Sequence, residues 1–466
     1  MRPVCVILVA VVLSACSVDE ELIQSPATSL HSSAKSDGSF VPKLIPTQAP
    51  APVRSNPQVL TMEEAVHAAV AWHPSIDEAV GRVQQSSAEI NVARAGYLPK
   101  IRGGIDSSYD TSDGGGWRPR LDVSASQMIY DFGKVSSSVD ASNARANASR
   151  NELLLGVDTL VRDTANAVVE VQRYQALNQV ANAKLKGVQA IADLVRQRSA
   201  SGASTRSDQV QADARVNAAQ STVQEIGGQL DRWQSTLSTL VGSTGAVAVG
   251  QDTPSWLLST CTATEPDWSL SPAVLQAEAG KAEALAQRNY SRAQAFPTIA
   301  LEASAGYGLN RDARAGSSSD EPDVKVGLNV SGSLYDGGAT AANRRASEFA
   351  LKSADAAILN TKLNQSRNLL QARSQINSLQ SMLTTLSARQ GMLSQTRDLY
   401  RQQYLELGTR TLLDLLNSEE ELHQAAFDEV NSKHDLRRLG VECLFNSGRS
   451  RSMFDLNGMT VRGVTI

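Results

Sequence analysis

One ordered set of sequence signals occurs twice in this 466-residue chain. This duplication constrains the fold more than any single motif does. Three landmarks of the first copy return at one constant spacing: Pro74, Arg94 and Pro99 become Pro272, Arg292 and Pro297. "IYDFG" at 129–133 then pairs with "LYDGG" at 334–338, and "GASTRSD" at 202–208 pairs with "GTRTLLD" at 408–414. The same order in both copies predicts two structural repeats.

Within each repeat the hydrophobic period changes in the same way. It is helical up to the proline, alternates over two short segments, and becomes helical again over a very long segment without proline. The predicted elements of the first repeat (58–250) are helices within 61–97, strands at 100–110 and 118–130, a long helix at 134–200 and a return helix at 205–241. Those of the second (271–446) are a helix at 272–295, strands at 298–309 and 323–335, a long helix at 339–407 and a return helix at 410–445. An equatorial linker at 251–270 and a tail at 447–466 complete the plan.

The long helices and the strands together indicate where such a chain resides. A helix spanning 134–200 would be roughly 100 Å long, far longer than a helix of an ordinary globular domain. Each alternating segment has one apolar and one polar face and is about as long as a strand of a tilted membrane barrel. Either pair of alternating segments alone could form a soluble β-hairpin. Two such pairs in a chain that is predicted to be exported favour strands that cross a membrane. Four strands cannot close a barrel, so the chain is expected to oligomerise.

The N-terminus reads as an export signal. Arg2 precedes an apolar run too short to be a stable membrane span with these flanks, so residues 1–15 are predicted to be removed. "LSAC" resembles the lipobox of bacterial lipoproteins and predicts lipidation of Cys16. The alternative is a plain secretory signal with a chance cysteine. Residues 16–57 are rich in serine and proline and are predicted to be a tether.

Other functional classes find little support in the sequence. The net charge of -4, without a basic block, speaks against a nucleic-acid partner. The five histidines do not combine with cysteines or carboxylates at metal-ligand spacing. No nucleophile and base stand in a recognisable motif. We therefore expect no enzyme, no cofactor and no metal site.

At this point the sequence resembles the TolC-type outer-membrane efflux proteins of Gram-negative bacteria, over roughly residues 58 to 446. "TMEEAVHAAVAWHPSIDEAVGRVQQSSAEINVARAGYLPKI", "LYDGG" and "GTRTLLDLLNSEEEL" carry the resemblance. It implies a mainly α fold with a membrane β part. In a homotrimer, helical hairpins would form a periplasmic α-barrel tunnel, and four strands per protomer would form a shared transmembrane β-barrel in outer-membrane lipid. The implied partners are a periplasmic adaptor and an inner-membrane transporter, of ABC type or alternatively of RND type.

The resemblance also assigns roles at the far tips of the hairpins. In the family this turn is the periplasmic gate. Asp414 matches the first acidic residue of the constriction, and Asn417 stands where TolC has a second aspartate. Arg410 matches a basic latch residue and Asp208 its acidic partner. The family latch also has a tyrosine three residues before the glycine; here Leu405 holds that place.

The tip turns themselves read as helix ends and caps, and in this family they are where an adaptor binds. The residues concerned are Gly202, Ser204, Thr205, Gly408, Thr409 and Thr411. Cys443 ends the last helix, and Cys261 lies in the linker after the equivalent helix of the first repeat, near the same height. A disulfide between them is predicted; two separate buried thiols are the alternative.

The most favoured function is a passive outer-membrane exit duct for type I protein secretion, because "GTRTLLD" and "YDGG" match closely. The alternative is the outer-membrane component of a drug or small-molecule efflux pump, which the lipobox favours. A lipid-anchored periplasmic coiled-coil adaptor is the third reading, and it would lack the four amphipathic strands.

Overall fold

A computed structural model describes residues 59–111, 116–259, 261, 266–309 and 323–466. The predicted signal peptide at 1–15, Cys16 and the predicted tether at 16–57 lie outside these residues. The elements of the first repeat are α1 (Met62–Trp72), α2 (Pro74–Arg94), β1 (Lys100–Asp110), β2 (Gly116–Tyr130), α3 (Lys134–Ala200) and α4 (Arg206–Val241). A short α5 (Trp256–Ser259) lies in the linker.

The second repeat follows the same order. Its elements are α6 (Pro272–Ala293), β3 (Thr298–Gly308), β4 (Asp323–Ser331), α7 (Ala339–Gln402), a π-helical turn (Gln403–Leu407) and α8 (Leu412–Asn446). The tail contains α9 (Ser450–Met453) and a two-stranded hairpin of β5 (Thr460–Val461) and β6 (Val464–Thr465). Among the described residues no helix combines the length and the apolar character needed to cross a membrane.

Two predicted elements, the strand at 323–335 and the helix at 339–407, have different bounds in the structure. The helices predicted within 61–97 are α1 and α2, which separate at His73 because proline starts a helix well and disfavours helical backbone in the residue before it. His73 is accordingly extended, with φ -66° and ψ 129°, and Pro74 opens α2. The strand predicted at 323–335 ends at Ser331, whose partner is Thr298. The next residue on the partner strand is Pro297, which has no N–H to continue the ladder. The helix predicted to run to 407 turns π-helical at Gln403.

The four long strands form one antiparallel sheet in the order β1-β2-β3-β4. Outside one β-bulge at the end of β2 the register is regular, so alternate residues of each strand lie on the same face of the sheet. One face is apolar and exposed, and its larger side chains are Ile101, Ile105, Tyr109, Trp117, Leu121, Val123, Leu301, Tyr307, Val324, Val326, Leu328 and Val330. The opposite face is polar and carries Lys100, Arg102, Asp106, Arg120, Asp122, Glu302, Asp323, Lys325 and Asn329.

Aromatic residues bracket the apolar face along the strands. Tyr109 and Trp117 pack edge to face at one end, with ring centroids 5.8 Å apart. At the other end, where the strands meet the helices, Tyr130 packs edge to face on Phe132, which stacks on Phe296. A β-bulge between Met128 and Tyr130 shifts the register there. Aromatic girdles around an apolar band are typical of barrels whose outer face meets lipid.

The largest apolar core lies where the ends of both repeats meet. It joins α1, α2, the middle of α3, the end of α4 and the end of α8. The predicted tail is part of this core, since Phe454 and Leu456 are fully buried. Arg451 of the tail donates to buried Asp158 of α3 at 3.1 Å, and Arg462 pairs with Asp77 of α2. The tail therefore fastens the second repeat to the first.

Candidate functional site

The two hairpin tips are built from the same local structure. Gly202 and Gly408 end the long helices in the left-handed region, with φ of 77° and 61°. Thr205 then caps α4: its hydroxyl accepts the Asp208 N–H at 3.1 Å, and its own N–H donates to the Asp208 carboxylate at 3.0 Å. Both tips thus use a glycine stop followed by a capping box.

Thr411 and Asp414 repeat this capping box at the start of α8. The Thr411 hydroxyl accepts the Asp414 N–H at 3.2 Å, and the Asp414 carboxylate accepts the Thr411 N–H at 3.1 Å. Asp208 and Asp414 each complete a capping box. This local role was not predicted for either residue from the sequence. The Thr411 N–H and hydroxyl, and then the charge of Arg410, hold the pKa of the Asp414 carboxyl below its usual range. Asp414 is thus held as a fixed negative charge in the first turn of α8.

Asn417 lies one turn after Asp414 on α8 and is exposed. Its side-chain oxygen accepts from Arg215 of α4 at 3.5 Å, which links the return helices of the two repeats. Asp414 and Asn417 therefore share one side of the helix near the tip.

Within one protomer the structure does not bring Arg410 and Asp208 together. Arg410 donates to the Gln403 side chain at 3.1 Å, and its guanidinium lies 4.2 Å from the centre of the Tyr400 ring. Asp208 is engaged in its cap. A latch through these two residues would thus need a contact between protomers or an exchange of partners.

Tyr404 links the two tips. It is buried, its hydroxyl lies 3.3 Å from the Ser204 hydroxyl, and the Arg198 guanidinium lies 4.8 Å from its ring centre. Leu405, which the family pattern pointed to, is 37% exposed. The π-helical turn from Gln403 to Leu407 explains this, because a π turn holds one more residue than an α turn and shifts the register before Gly408. A five-residue π turn leaves no periodic signal in a sequence.

A buried pair of a histidine and a glutamate lies just behind the tip and was not predicted. The His423 ring nitrogen Nε2 lies 3.0 Å from the Glu419 carboxylate, and both residues are buried. Arg397 of α7 approaches the same carboxylate at 4.0 Å. Gly187 of α3 faces it so closely that a Cβ there would overlap the Glu419 side chain. The sequence does contain a signal for this pair: a glutamate and a histidine stand four residues apart in a leucine-rich segment.

The seam between α3 and α8, where the repeats meet, carries further ion pairs. Lys184 binds Glu420 and Arg173 binds Asp435, each at 2.7 Å. Near the far end of this seam, Cys261 and Cys443 form a disulfide, with Cα atoms 5.5 Å apart. That separation is ordinary for a disulfide. The bond ties the linker to the end of α8.

The polar face of the sheet carries a network of paired charges. Arg120 donates to Asp122 at 2.8 Å and reaches across β3 to Asp323 at 3.4 Å. It passes over Gly306, where a Cβ would collide with the guanidinium. Lys325 lies 3.0 Å from the same Asp323 carboxylate. No cluster of three or more His, Cys, Asp or Glu residues in the described ranges is arranged to hold a metal ion.

Comparisons with known proteins point in one direction. A family model described as outer membrane efflux protein matches residues 65–243 and 269–438, which correspond to the two repeats. The pyoverdine export outer membrane protein OpmQ of Pseudomonas aeruginosa is 26% identical over 372 residues, covering 74% of this chain and 76% of the relative. The outer membrane efflux protein BepC of Brucella suis biovar 1 is 24% identical over 392 residues, covering 79% of this chain and 80% of the relative.

Solved structures show the same fold. The outer membrane protein VceC of Vibrio cholerae aligns with a TM-score of 0.73 at 19% identity, over 83% of this chain and 96% of that chain. The predicted architecture of long helical hairpins with a four-stranded contribution to a membrane barrel is thereby confirmed.

Proposed function

The chain belongs to the outer membrane efflux protein family, and from this premise we propose that it is the exit duct through which a tripartite system exports small molecules. Family members are passive outer-membrane channels, not enzymes; they form trimers and work with periplasmic adaptors and inner-membrane transporters. In this chain the observation that carries the proposal is the sheet, whose apolar and polar faces stay in register across all four strands.

The names of the relatives support a small-molecule cargo. OpmQ is named for pyoverdine export and BepC for efflux. Type I protein secretion, our first prediction, remains a second candidate, and the match of "GTRTLLD" and "LYDGG" to the family pattern is what favours it. Whether the inner-membrane transporter is of ABC or RND type depends on whether the cargo is a protein or a small molecule.

The hairpin tips are proposed as the gate and as the adaptor surface. Three copies of Asp414 around one axis would repel one another and favour cations, as rings of charge do in pores. Arg410 and Asp208 are proposed to meet only between neighbouring hairpins of the trimer. An exposed ion pair contributes about 0–1 kcal/mol, so a docking adaptor could release it. The tip residues Gly202, Ser204, Thr205, Gly408, Thr409 and Thr411, all exposed except the half-buried Ser204, would form the adaptor contact.

Membrane extraction tests the duct against the lipid-anchored adaptor. The purified protein should be a trimer that requires detergent and changes its gel mobility on heating, both with Cys16 and as a Cys16→Ser variant carrying a plain secretory signal. A variant that leaves the membrane once the acyl anchor is lost would contradict the duct and support the adaptor. Cargo is tested by deletion of the gene: accumulation of a small molecule inside the cell supports efflux, and retention of a secreted protein supports type I secretion.

A further inference from the structure

We propose that the barrel lumen of this chain holds a binding site for anionic groups, formed by Lys100 and Arg102 where the helical tunnel opens into the barrel. This inference rests on the proposed function, since it places the site on the path of the cargo. The chemical class it selects is a carboxylate- or phosphate-bearing solute.

The register places two neighbouring lumen rungs of opposite sign beside the rung Lys100–Ser126–Glu302–Gly327, which carries one cation and one acid. One rung runs Arg102–Ser124–Ser304–Lys325 across the four strands and carries two cations. The next rung towards the loops runs Gly104–Asp122–Gly306–Asp323 and carries two acids. Neighbouring rungs on one face lie roughly 7 Å apart.

The acidic rung is neutralised within the sheet. Arg120 contacts both Asp122 and Asp323, and Lys325 contacts Asp323. The Arg120 bridge depends on Gly306, as described above. The acids of this rung therefore leave little free negative charge to repel an anion.

The basic residues of β1 are not neutralised. Across the residues that the structure describes, Lys100 and Arg102 have neither a salt bridge nor a side-chain hydrogen bond. The carboxylate on this part of the face, Glu302, accepts from Asn329 at 2.9 Å. Lys100, Arg102, Glu302 and Lys325 line one open cavity of about 870 Å³ with Ser124 and Ser126. Beside the single Glu302 carboxylate, the cavity thus offers two free cations and serine hydroxyls, a set of donors that suits anions.

The position of Lys100 and Arg102 in the sheet also supports the proposed anion site. Lys100 is the first residue of β1 and follows soon after the helical segment, which ends at Tyr97, so the free cations lie at the helix side of the sheet. A trimer would present three copies of the pair around the lumen. Charge rings of this kind bias which ions enter a pore. Asp414 at the tips is of opposite sign, so the two ends of the helical tunnel would differ in charge.

The test is block of single-channel current by a polyanion added on the barrel side of a planar bilayer. The probes are tripolyphosphate and, for carboxylates, citrate. We expect concentration-dependent block of the wild type, and for Lys100→Gln/Arg102→Gln a half-blocking concentration about tenfold higher or more. The charge-preserving Lys100→Arg/Arg102→Lys variant should block like the wild type. Block of the wild type should also weaken as salt shortens the Debye length below about 10 Å.

Equal half-blocking concentrations for the wild type and the neutral variant would overturn the anion site, and so would a conducting wild type that neither probe blocks. In both cases the duct itself would stand. A folded trimer without pores would overturn the proposed function and, with it, this site. Heat-modifiable trimers of each variant show that a lost block does not reflect lost folding.

Discussion

The Tyr404 hydroxyl of the second repeat lies 3.3 Å from the Ser204 hydroxyl of the first, at the tips of the two hairpins. This contact joins the repeats at the end farthest from the sheet. Tyr404 is also buried beside Val188, Ala212 and Leu415, in a small core that draws on α3, α4 and α8. The buried Tyr404 ring and its hydroxyl contact are therefore part of what holds the two tips together.

Tyr404→Phe keeps the ring and removes the hydroxyl. A hydrogen bond of this kind contributes about 1 kcal/mol net, so we expect a small loss in unfolding free energy and a clear rise in the fraction of time the channel is open. Planar-bilayer recordings of open probability measure this effect. Leu405→Ala, at the exposed neighbouring position, is the matched control and should leave gating unchanged. Unaltered gating in Tyr404→Phe would contradict a role of this contact in closure.

Thr411→Val removes the side-chain acceptor of the capping box at α8. Loss of such a cap costs about 0.5–2 kcal/mol, whereas Thr411→Ser should keep it. Asp414 has a lowered pKa in the folded chain, so the stability from its cap is present above the ordinary pKa and is lost as pH falls through the lowered one. Thr411→Val should therefore make cation selectivity fall at a higher pH than in the wild type. Reversal potentials recorded during acid titration would show this; coincident curves for Thr411→Val and the wild type would refute it.

Gly187→Ala places a methyl group against the buried Glu419 carboxylate. Overpacking of this kind costs typically 1–3 kcal/mol, although alanine favours a helix. We expect a lower melting temperature for the trimer. Gly391→Ala is the matched control, because its added Cβ meets no atom within 4 Å and should stabilise or leave the protein unchanged. Adding Glu419→Ala should relieve the clash in Gly187→Ala. A Gly187→Ala melting temperature equal to that of Gly391→Ala would contradict the packing described here.

The repeats, the strand pairs and the capped tips could be predicted because each is specified by local pattern: proline and glycine positions, threonine caps and hydrophobic period. The burial of the tail could not, since Phe454 and Leu456 find their partners in helices far away in sequence. Nor could the role of Tyr404, because a single π turn changes the register without changing composition. The separate engagement of Arg410 and Asp208 was also beyond the sequence, since each has a nearer partner on its own tip.

The buried Asp158 predicts a pH-dependent stability of the region where the tail docks. Burial raises the pKa of Asp158 to about 7, although Arg451 opposes this shift. A raised carboxyl pKa means that the folded state binds the proton more tightly, so stability should fall as pH rises from the ordinary aspartate pKa to about 7. Asp158→Asn should flatten this part of the profile. Melting temperatures across the pH range test it, and an equally steep profile for Asp158→Asn would assign the effect to another group.

The Cys261–Cys443 disulfide closes a long loop, with a sequence separation of 182 residues. Disulfides contribute typically 2–4 kcal/mol, so Cys261→Ala/Cys443→Ala should melt at a lower temperature than the oxidised wild type. Reduced wild type should behave like the double variant. Peptide mapping without reductant checks the bond directly, and free thiols at both positions would refute it.

The central claim, that three copies of this chain enclose a conducting path gated at the tips, is tested most directly by single-channel conductance in planar bilayers, with the wild type beside Asp414→Ala. The account predicts small, cation-selective pores in the wild type and a weaker cation preference in the variant. A folded, trimeric preparation that forms no pores would contradict it.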